Sequence, residues 1–303
     1  MKFILQDGSE TIFDKGIHID NPKYLTIYGQ RDDTGKIKVY GGGGDDDAGI
    51  GGNDGYMGGY LTIHGGYIWA RPGGNNGAAI GGGEGHNSGM QSITIYGGTI
   101  DAKGQSSGAG IGCGEHNDNL PDVTIYGGTV TAEGGKNGAG IGGSEDCGNG
   151  TIKIYGGTVT ATGGNYAAGI GSGEYGNVDN PIYIYGGTVN ATGGKYAAGI
   201  GSGEDAYMNS PIEIYGGTIT ATGGTKGAGI GGGRKTGSNE IKIYGGTITA
   251  TAGKEGAGIG CGNASNLKYA ITIYDGTVTA TGGEKGAGIG CGECGSNKAG
   301  INI

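Results

Sequence analysis

The 303-residue sequence is poor in the residues that most globular domains use to fill a core. It has one tryptophan, two phenylalanines and four methionines, whereas glycine supplies 82 residues. It also has no apolar run near the ~18 residues that a membrane-spanning helix needs. The apolar residues Phe3 to Leu5 are followed at once by polar ones, which is too short a stretch for a signal peptide. We therefore expect no membrane insertion.

The sequence is also poor in positively charged residues. The formal net charge is −9, and only three arginines occur, at positions 31, 71 and 234. Because binding to a phosphate backbone requires clustered lysine and arginine, the sequence predicts no nucleic-acid partner.

What the sequence has in abundance is a repeat of about 30 residues, seen most clearly as IEIYGGTITATGGTKGAGIGGG at 212–233. Its Gly-Ile-Gly landmark recurs from Ile50 to Ile289, and the spacing stays between 29 and 31 residues. A fixed period of this size indicates stacked units, each of which buries its apolar face against its neighbours. The glycine content therefore indicates regular corners rather than disorder.

Each repeat contains three short segments in which apolar and polar residues alternate, as at 93–95, 99–103 and 109–113. Alternation with a period of two predicts strands, and glycines between the segments predict corners. The expected fold is all-β: a right-handed parallel β-helix with three strands per coil and about nine coils. We expect one continuous domain, with irregular opening coils at 1–56 and regular repeats at 57–303. The expected inward residues of one coil are Ile93, Ile95, Ile100, Ala102, Ala109 and Ile111.

Several motifs carry a resemblance: LTIYGQ at 25–30, DAGIGG at 47–52, and the repeated IYGGTVTATGG and GAGIGG. They resemble the glycine-rich β-helical repeats of large surface proteins of anaerobic Gram-positive gut bacteria. The resemblance implies a secreted or cell-surface location and a role in adhesion or carbohydrate binding.

The outward face of the second strand breaks the repeat towards the N-terminus. There, threonine columns give way to rings and charges, which are the side chains that lie against sugar faces and meet carboxylate or sulfate groups. We predict a binding site for a polysaccharide, and an anionic polysaccharide is one candidate ligand. The other interpretation is an apolar cover, with Trp69 packed beneath a terminal loop. The predicted site residues are Lys36, Lys38, Tyr40, Tyr67, Trp69, Arg71, Asp101 and Lys103.

From residue 158 onwards the same outward face reads Thr-x-Thr-x-Thr, interrupted by Asn190. Hydroxyl and methyl groups repeating at ~4.8 Å between coils and ~7 Å along each strand approximate spacings in ice. Ice binding is therefore an alternative function, although threonine is also an ordinary outward strand residue. The residues concerned are Thr158, Thr160, Thr162, Thr188, Thr192, Thr218, Thr220, Thr222, Thr247, Thr249, Thr251, Thr277, Thr279 and Thr281.

Two further columns stand out. The tyrosines before Gly-Gly, from Tyr28 to Tyr274 with His64 in register, are expected to stack and stabilise the coils. A glutamate column follows Gly-Ile-Gly, and calcium shared between its carboxylates is an alternative to simple solvation. No cofactor is expected otherwise. The carboxylates are Glu84, Glu115, Glu174, Glu204 and Glu293, and a second acidic segment comprises Asp45, Asp46, Asp47, Asn53 and Asp54.

Catalysis on acidic polysaccharides is a second alternative, with Asp101, Glu133 and Arg71 as candidates. No long loop walls off a groove beside them, so the expected function is non-catalytic. The segment 299–303 is similar to the first strand of a further coil, which suggests further repeats or an end-to-end contact there.

The five cysteines show neither a metal-ligand spacing nor a disulfide framework. Cys113, Cys261 and Cys291 occupy one repeat position and are expected to be small core residues. Cys147 and Cys294 fall in loops, and the odd total leaves at least one thiol unpaired within the chain.

Overall fold

The structure is a computed structural model that describes residues 1–41 and 46–303. Over these residues it contains strands and turns but no helix, and none of its elements is a helix able to cross a membrane. The chain winds in a right-handed path through three parallel sheets in turn. The predicted parallel β-helix is therefore confirmed.

Sheet 1 has eleven strands, and sheets 2 and 3 have ten each. The strands of sheet 1 are Lys2–Leu5, Tyr24–Gly29, Tyr60–Ile63, Ser92–Ile95, Asp122–Ile125, Ile152–Ile154, Ile182–Ile184, Ile212–Ile214, Ile241–Ile243, Ile271–Ile273 and Ile301–Asn302. Those of sheet 2 are Glu10–Phe13, Lys36–Tyr40, Tyr67–Arg71, Thr99–Lys103, Thr129–Glu133, Thr158–Thr162, Thr188–Thr192, Thr218–Thr222, Thr247–Thr251 and Thr277–Thr281.

The strands of sheet 3 are two residues long. They are Ile17–His18, Ile50–Gly51, Ile80–Gly81, Ile111–Gly112, Ile141–Gly142, Ile170–Gly171, Ile200–Gly201, Ile230–Gly231, Ile259–Gly260 and Ile289–Gly290. A small fourth sheet joins Gly237–Ser238, Asn266–Leu267 and Ser296–Asn297.

The described residues form ten complete coils, one more than the repeat count predicts. The additional coil is the first, whose strand Glu10–Phe13 carries no glycine landmark and was not predicted. Coils are numbered 1 to 10 from the N-terminus below. At ~4.8 Å per coil the stack is about 45 Å long.

The core is a column of small and β-branched side chains. The six inward residues predicted for one coil are all buried, and the isoleucines of sheet 3 pair in register from one coil to the next. Burying each isoleucine contributes about 1.5–3 kcal/mol relative to leaving it in water. The predicted inward column is confirmed at Ile80, Ile111, Ile141, Ile170 and Ile200.

Glycine is required where the chain leaves sheet 3. Gly112 has a φ of 144°, and a Cβ there would overlap the carbonyl oxygen of Gly142 in the next coil. The equivalent glycines of most other coils have the same geometry. This close approach explains the second glycine of the landmarks from Ile50 to Ile259, whereas in the last coil only the positive φ of Gly290 requires glycine.

The tyrosine column forms a continuous ladder beside sheet 1. Neighbouring ring centroids lie 4.6 to 4.9 Å apart and the rings are tilted by at most 12°. Because each ring covers the face of the next, mainly ring edges face solvent. This arrangement agrees with the predicted stabilising role of the column.

The cysteine prediction was wrong in one respect. Cys113 and Cys147 form a disulfide, and both residues are buried. Their separation of 34 residues is one coil plus a short turn, so only the stacking of coils brings their Cα atoms to 6.6 Å. Cys261 is buried as expected, Cys291 is partly buried, and Cys294 is exposed.

Candidate functional site

The eight predicted glycan-site residues, here called the N-terminal patch, lie on adjacent strands of sheet 2. Lys38 is in register with Trp69, and Trp69 is in register with Asp101. Lys36 is opposite Tyr67, and Tyr40 is opposite Arg71. The structure therefore brings these residues together across three coils, with their side chains on the outward face.

Trp69 and Tyr40 form the aromatic centre of the patch. Their ring centroids are 4.8 Å apart with a tilt of 56°, and the Arg71 guanidinium carbon lies 4.1 Å from the Trp69 centroid. The strand of coil 1 pairs with Lys36–Tyr40, on the side away from Trp69. Coil 1 therefore extends sheet 2 beside the patch, and Trp69 keeps part of its surface exposed.

Three of the four cations of the patch pair with carboxylates, and one of these pairs lies within the patch itself. Lys38 Nζ lies 3.0 Å from Glu10 Oε1, and Arg71 donates to Asp101 Oδ1 at 2.9 Å. Lys103 Nζ lies 2.7 Å from Glu133 Oε1. The cations do not form the free anion-binding group that the sequence suggests.

Glu10 borders the patch and was not predicted from the sequence. It lies on the coil 1 strand that has no repeat landmark, in register with Lys36 and one row from Lys38. Its segment, Glu-Thr-Ile-Phe, does not alternate polar and apolar residues, so no pattern in the sequence marks it as a strand.

The pairing also bears on the catalytic alternative. Asp101 and Glu133, its candidate carboxylates, each pair with a cation of the same face. The third candidate, Arg71, is the partner of Asp101, and its guanidinium also stacks on Trp69.

The threonine face is a regular grid over coils 6 to 10. Outward residues pair in register from each strand to the next, as at Thr158, Thr188 and Thr218. Asn190 interrupts the middle column, where it lies between Thr160 and Thr220. All fourteen predicted threonines are at least partly exposed.

The glutamate column is crowded and partly buried. Burial and the neighbouring Glu145 and Glu204 carboxylates raise the pKa of Glu174 to about 7. Burial also raises the pKa of Glu84 and of Glu115.

One cluster in this column has three potential ligand atoms. Glu84, Glu115 and His116 place them within 4.8 Å of one another. His116 Nδ1 lies 3.3 Å from Glu115 Oε1, and His116 Nε2 lies 3.3 Å from Asp146 Oδ2. An imidazole nitrogen is a poor ligand for calcium, which prefers six to eight oxygens, so this geometry does not favour the calcium alternative.

The second acidic segment is only partly described. Asp45 lies outside the described residues, whereas Asp47 Oδ1 accepts a hydrogen bond from the Asp54 backbone at 2.8 Å. That bond gives Asp47 a structural partner in its own turn.

The regular coils match a known family profile, described as beta helix repeat. It matches eight times, at residues 61–84, 93–115, 123–145, 152–174, 182–204, 212–234, 241–263 and 271–293. The chain belongs to the beta helix repeat family. No curated protein and no solved structure shows significant similarity to it.

The beta helix repeat matches begin at residue 61, so coils 1 and 2 lie outside them. The N-terminal patch therefore straddles a boundary. Tyr67, Trp69 and Arg71 lie in the first matched repeat, whereas Lys36, Lys38 and Tyr40 precede it. The patch occupies the place where the family pattern starts.

Proposed function

We propose that this chain is a rigid, non-catalytic rod of a secreted or cell-surface protein, and that it binds polysaccharide at the N-terminal patch. The observation that carries the proposal is the Trp69–Tyr40 ring pair, which lies on the outward face of sheet 2 with both rings at least partly exposed.

The chemistry of the patch suits a sugar rich in hydroxyl groups. Aromatic rings offer apolar surface to the C–H faces of sugars, and Tyr40 is 47% exposed. The ion pairs around the rings hold donors and acceptors in fixed positions, which lowers the entropic cost of binding hydroxyl groups. Because these charges nearly cancel, we assign a neutral polysaccharide to this patch.

The proposed location has support from the disulfide. Buried disulfides such as Cys113–Cys147 persist in oxidising environments, which include the cell surface and the extracellular space.

The proposal is tested by affinity electrophoresis in gels containing neutral polysaccharides such as cellulose derivatives, xylan and mannan. The Trp69→Ala variant removes the central ring and should weaken retention of the wild-type ligand by about 5- to 100-fold, or about 1–3 kcal/mol. Thr220→Ala, on the outward face of the same sheet, is the matched control and should leave retention unchanged.

Because Trp69 is an outward residue, the variant should keep the wild-type circular dichroism spectrum. Equal retention of Trp69→Ala and wild type on every polysaccharide that binds would refute the assignment of the patch. The absence of reducing-end release from the bound polysaccharides would support the non-catalytic part of the proposal, and steady release would overturn it.

Ice binding is the second candidate, and the in-register threonine grid is the observation in its favour. If this face binds ice, the protein should facet growing crystals, and a bulky Thr220→Tyr substitution should abolish faceting. Round crystals at high protein concentration would exclude this function.

A further inference from the structure

A second cluster of rings and cations lies at the corner that follows sheet 2, in coils 5 to 8. Tyr166 and Tyr196 stack with centroids 5.2 Å apart and a tilt of 5°. Lys136 Nζ lies 5.4 Å from the Tyr166 centroid. Lys195 Nζ lies 4.9 Å and Lys226 Nζ 5.6 Å from the Tyr196 centroid.

The backbone places these residues in stacked rows. Tyr166 donates its backbone N–H to Lys136, and Lys226 donates to Lys195. The turn after sheet 3 closes against the same row, because Arg234 donates its backbone N–H to the Tyr196 carbonyl. The Arg234 guanidinium carbon is 5.6 Å from the Tyr196 centroid. Two corners of the coil thus form one surface.

Lys136 and Lys195 at this corner differ from Lys38 and Lys103 of the N-terminal patch in what holds them. Lys38 and Lys103 are held by carboxylates, whereas Lys136 and Lys195 are exposed and, within the described part of the chain, have no ion-pair partner. A ring positions an ammonium group without cancelling its charge. Lys136 and Lys195 can therefore still attract an anion.

The carboxylates nearby are largely engaged. Glu204 pairs with Arg234, and Glu145 accepts hydrogen bonds from Asn137 and Ser107. Glu255 lies 3.9 Å from Lys226. Glu174, whose pKa is raised to about 7, carries only part of its charge at neutral pH. None of these carboxylates forms an ion pair with Lys136 or Lys195 in the described part of the chain, although Glu174 interacts electrostatically with Lys136 and Glu204 with Lys195. The carboxylates also make the surface unsuitable for the dense phosphates of nucleic acid.

We propose that this corner is a second binding site, and that its ligand is an anionic polysaccharide whose carboxylate or sulfate groups meet Lys136, Lys195 and Lys226. The three lysines belong to coils 5, 7 and 8, so they extend over about 14 Å along the rod. A linear polymer reaches all three, whereas a single sugar does not. That the ligand is a polysaccharide rests on the proposed function, whereas the place of binding does not.

A shallow groove extends the site towards the N-terminal patch. It has a volume of about 470 Å³, and its lining includes Lys103, Glu133 and Lys136. The groove gives a polymer bound at Lys136 a polar path along coils 3 to 6.

The test compares retention in gels containing polygalacturonate with retention in gels containing its methyl ester, which has the same backbone without the charge. The Lys136→Ala/Lys195→Ala variant removes two exposed cations. It should weaken retention by polygalacturonate at least about tenfold, and added salt should reduce the wild-type retention. The matched control, Lys153→Ala/Lys268→Ala, removes the same charge elsewhere and should behave as wild type.

A second variant tests the rings. Tyr166→Leu/Tyr196→Leu keeps both ammonium groups but removes the surfaces that position them, and it should also weaken retention by polygalacturonate. Its circular dichroism spectrum checks that the coils remain folded.

The outcomes separate this inference from the proposed function. Loss of polygalacturonate retention in the lysine variant, with unchanged retention on neutral polysaccharide, supports the corner site. Equal retention of the lysine variant and wild type overturns it, as does equal wild-type retention on polygalacturonate and its methyl ester. Tighter binding of single-stranded DNA than of polygalacturonate also overturns the ligand class. A Trp69→Ala variant that keeps neutral binding refutes only the proposed function.

Discussion

At the scale of single residues, position on the rod determines what a charged side chain does. Lys38 and Lys103 are neutralised by carboxylates in neighbouring coils, whereas Lys136 and Lys195 lie over rings. The sequence predicts the outward columns that Lys38 and Lys103 occupy. It does not predict their partners, because the choice between a carboxylate and a ring depends on side-chain geometry across coils.

Glu174 gives a residue-scale prediction about pH. Its folded-state pKa of about 7 exceeds the ordinary value of 4.5, so the folded chain holds this proton more tightly than the unfolded chain. Stability should therefore fall as pH rises from about 4.5 to about 7. Glu174→Gln removes the buried charge, so its melting temperature should exceed that of wild type at pH 8 and match it at pH 4.

The exposed Glu284 provides the control for this measurement. Glu284→Gln removes an exposed ion pair with Lys254, so it should leave the melting temperature at pH 8 unchanged or slightly lower rather than raised. A Glu174→Gln variant that is no more stable than wild type at pH 8 would show that the ionised Glu174 carboxylate does not destabilise the folded state.

At the scale of the coil, the alternating pattern predicts most strands and the inward isoleucine column. Two features escape it. The strand Glu10–Phe13 lacks the repeat landmark, so nothing in its sequence aligns it with the other coils. The Cys113–Cys147 disulfide joins adjacent coils, and its spacing of 34 residues becomes meaningful only when the coil geometry is known.

The Gly-Ile-Gly landmark yields a prediction at this scale. Gly171 has a φ of 135°, and a Cβ there would overlap the Gly201 carbonyl oxygen of the next coil. Gly171→Ala should therefore lower the free energy of unfolding by about 3 kcal/mol or more, measured by chemical denaturation. A Cβ at Gly237 would come no closer than 3.5 Å to Lys268, so Gly237→Ala is the control and should cost far less. Similar losses for both variants would contradict this explanation of the landmark.

At the scale of the whole molecule, the stacked coils form a rod whose outward columns differ along its length while the core stays the same. The core is nearly uniform along coils 3 to 9, so the outward columns are free to vary. Rings and ion pairs occupy the N-terminal end of sheet 2, threonines occupy its other end, and the Tyr166–Tyr196 cluster occupies a corner. Proposed neutral and anionic ligands would therefore bind different faces of one rigid body.

The central claim is that polysaccharide binds at the N-terminal patch, and Trp69 reports on it directly because it is the only tryptophan in the sequence. The decisive measurement is tryptophan fluorescence during titration with a neutral polysaccharide that retains the wild-type protein in gels. We predict a saturable change in Trp69 emission and reduced quenching by acrylamide, because a sugar on the ring displaces water and excludes the quencher. Unchanged Trp69 emission and quenching under conditions where the polysaccharide is bound would contradict the account.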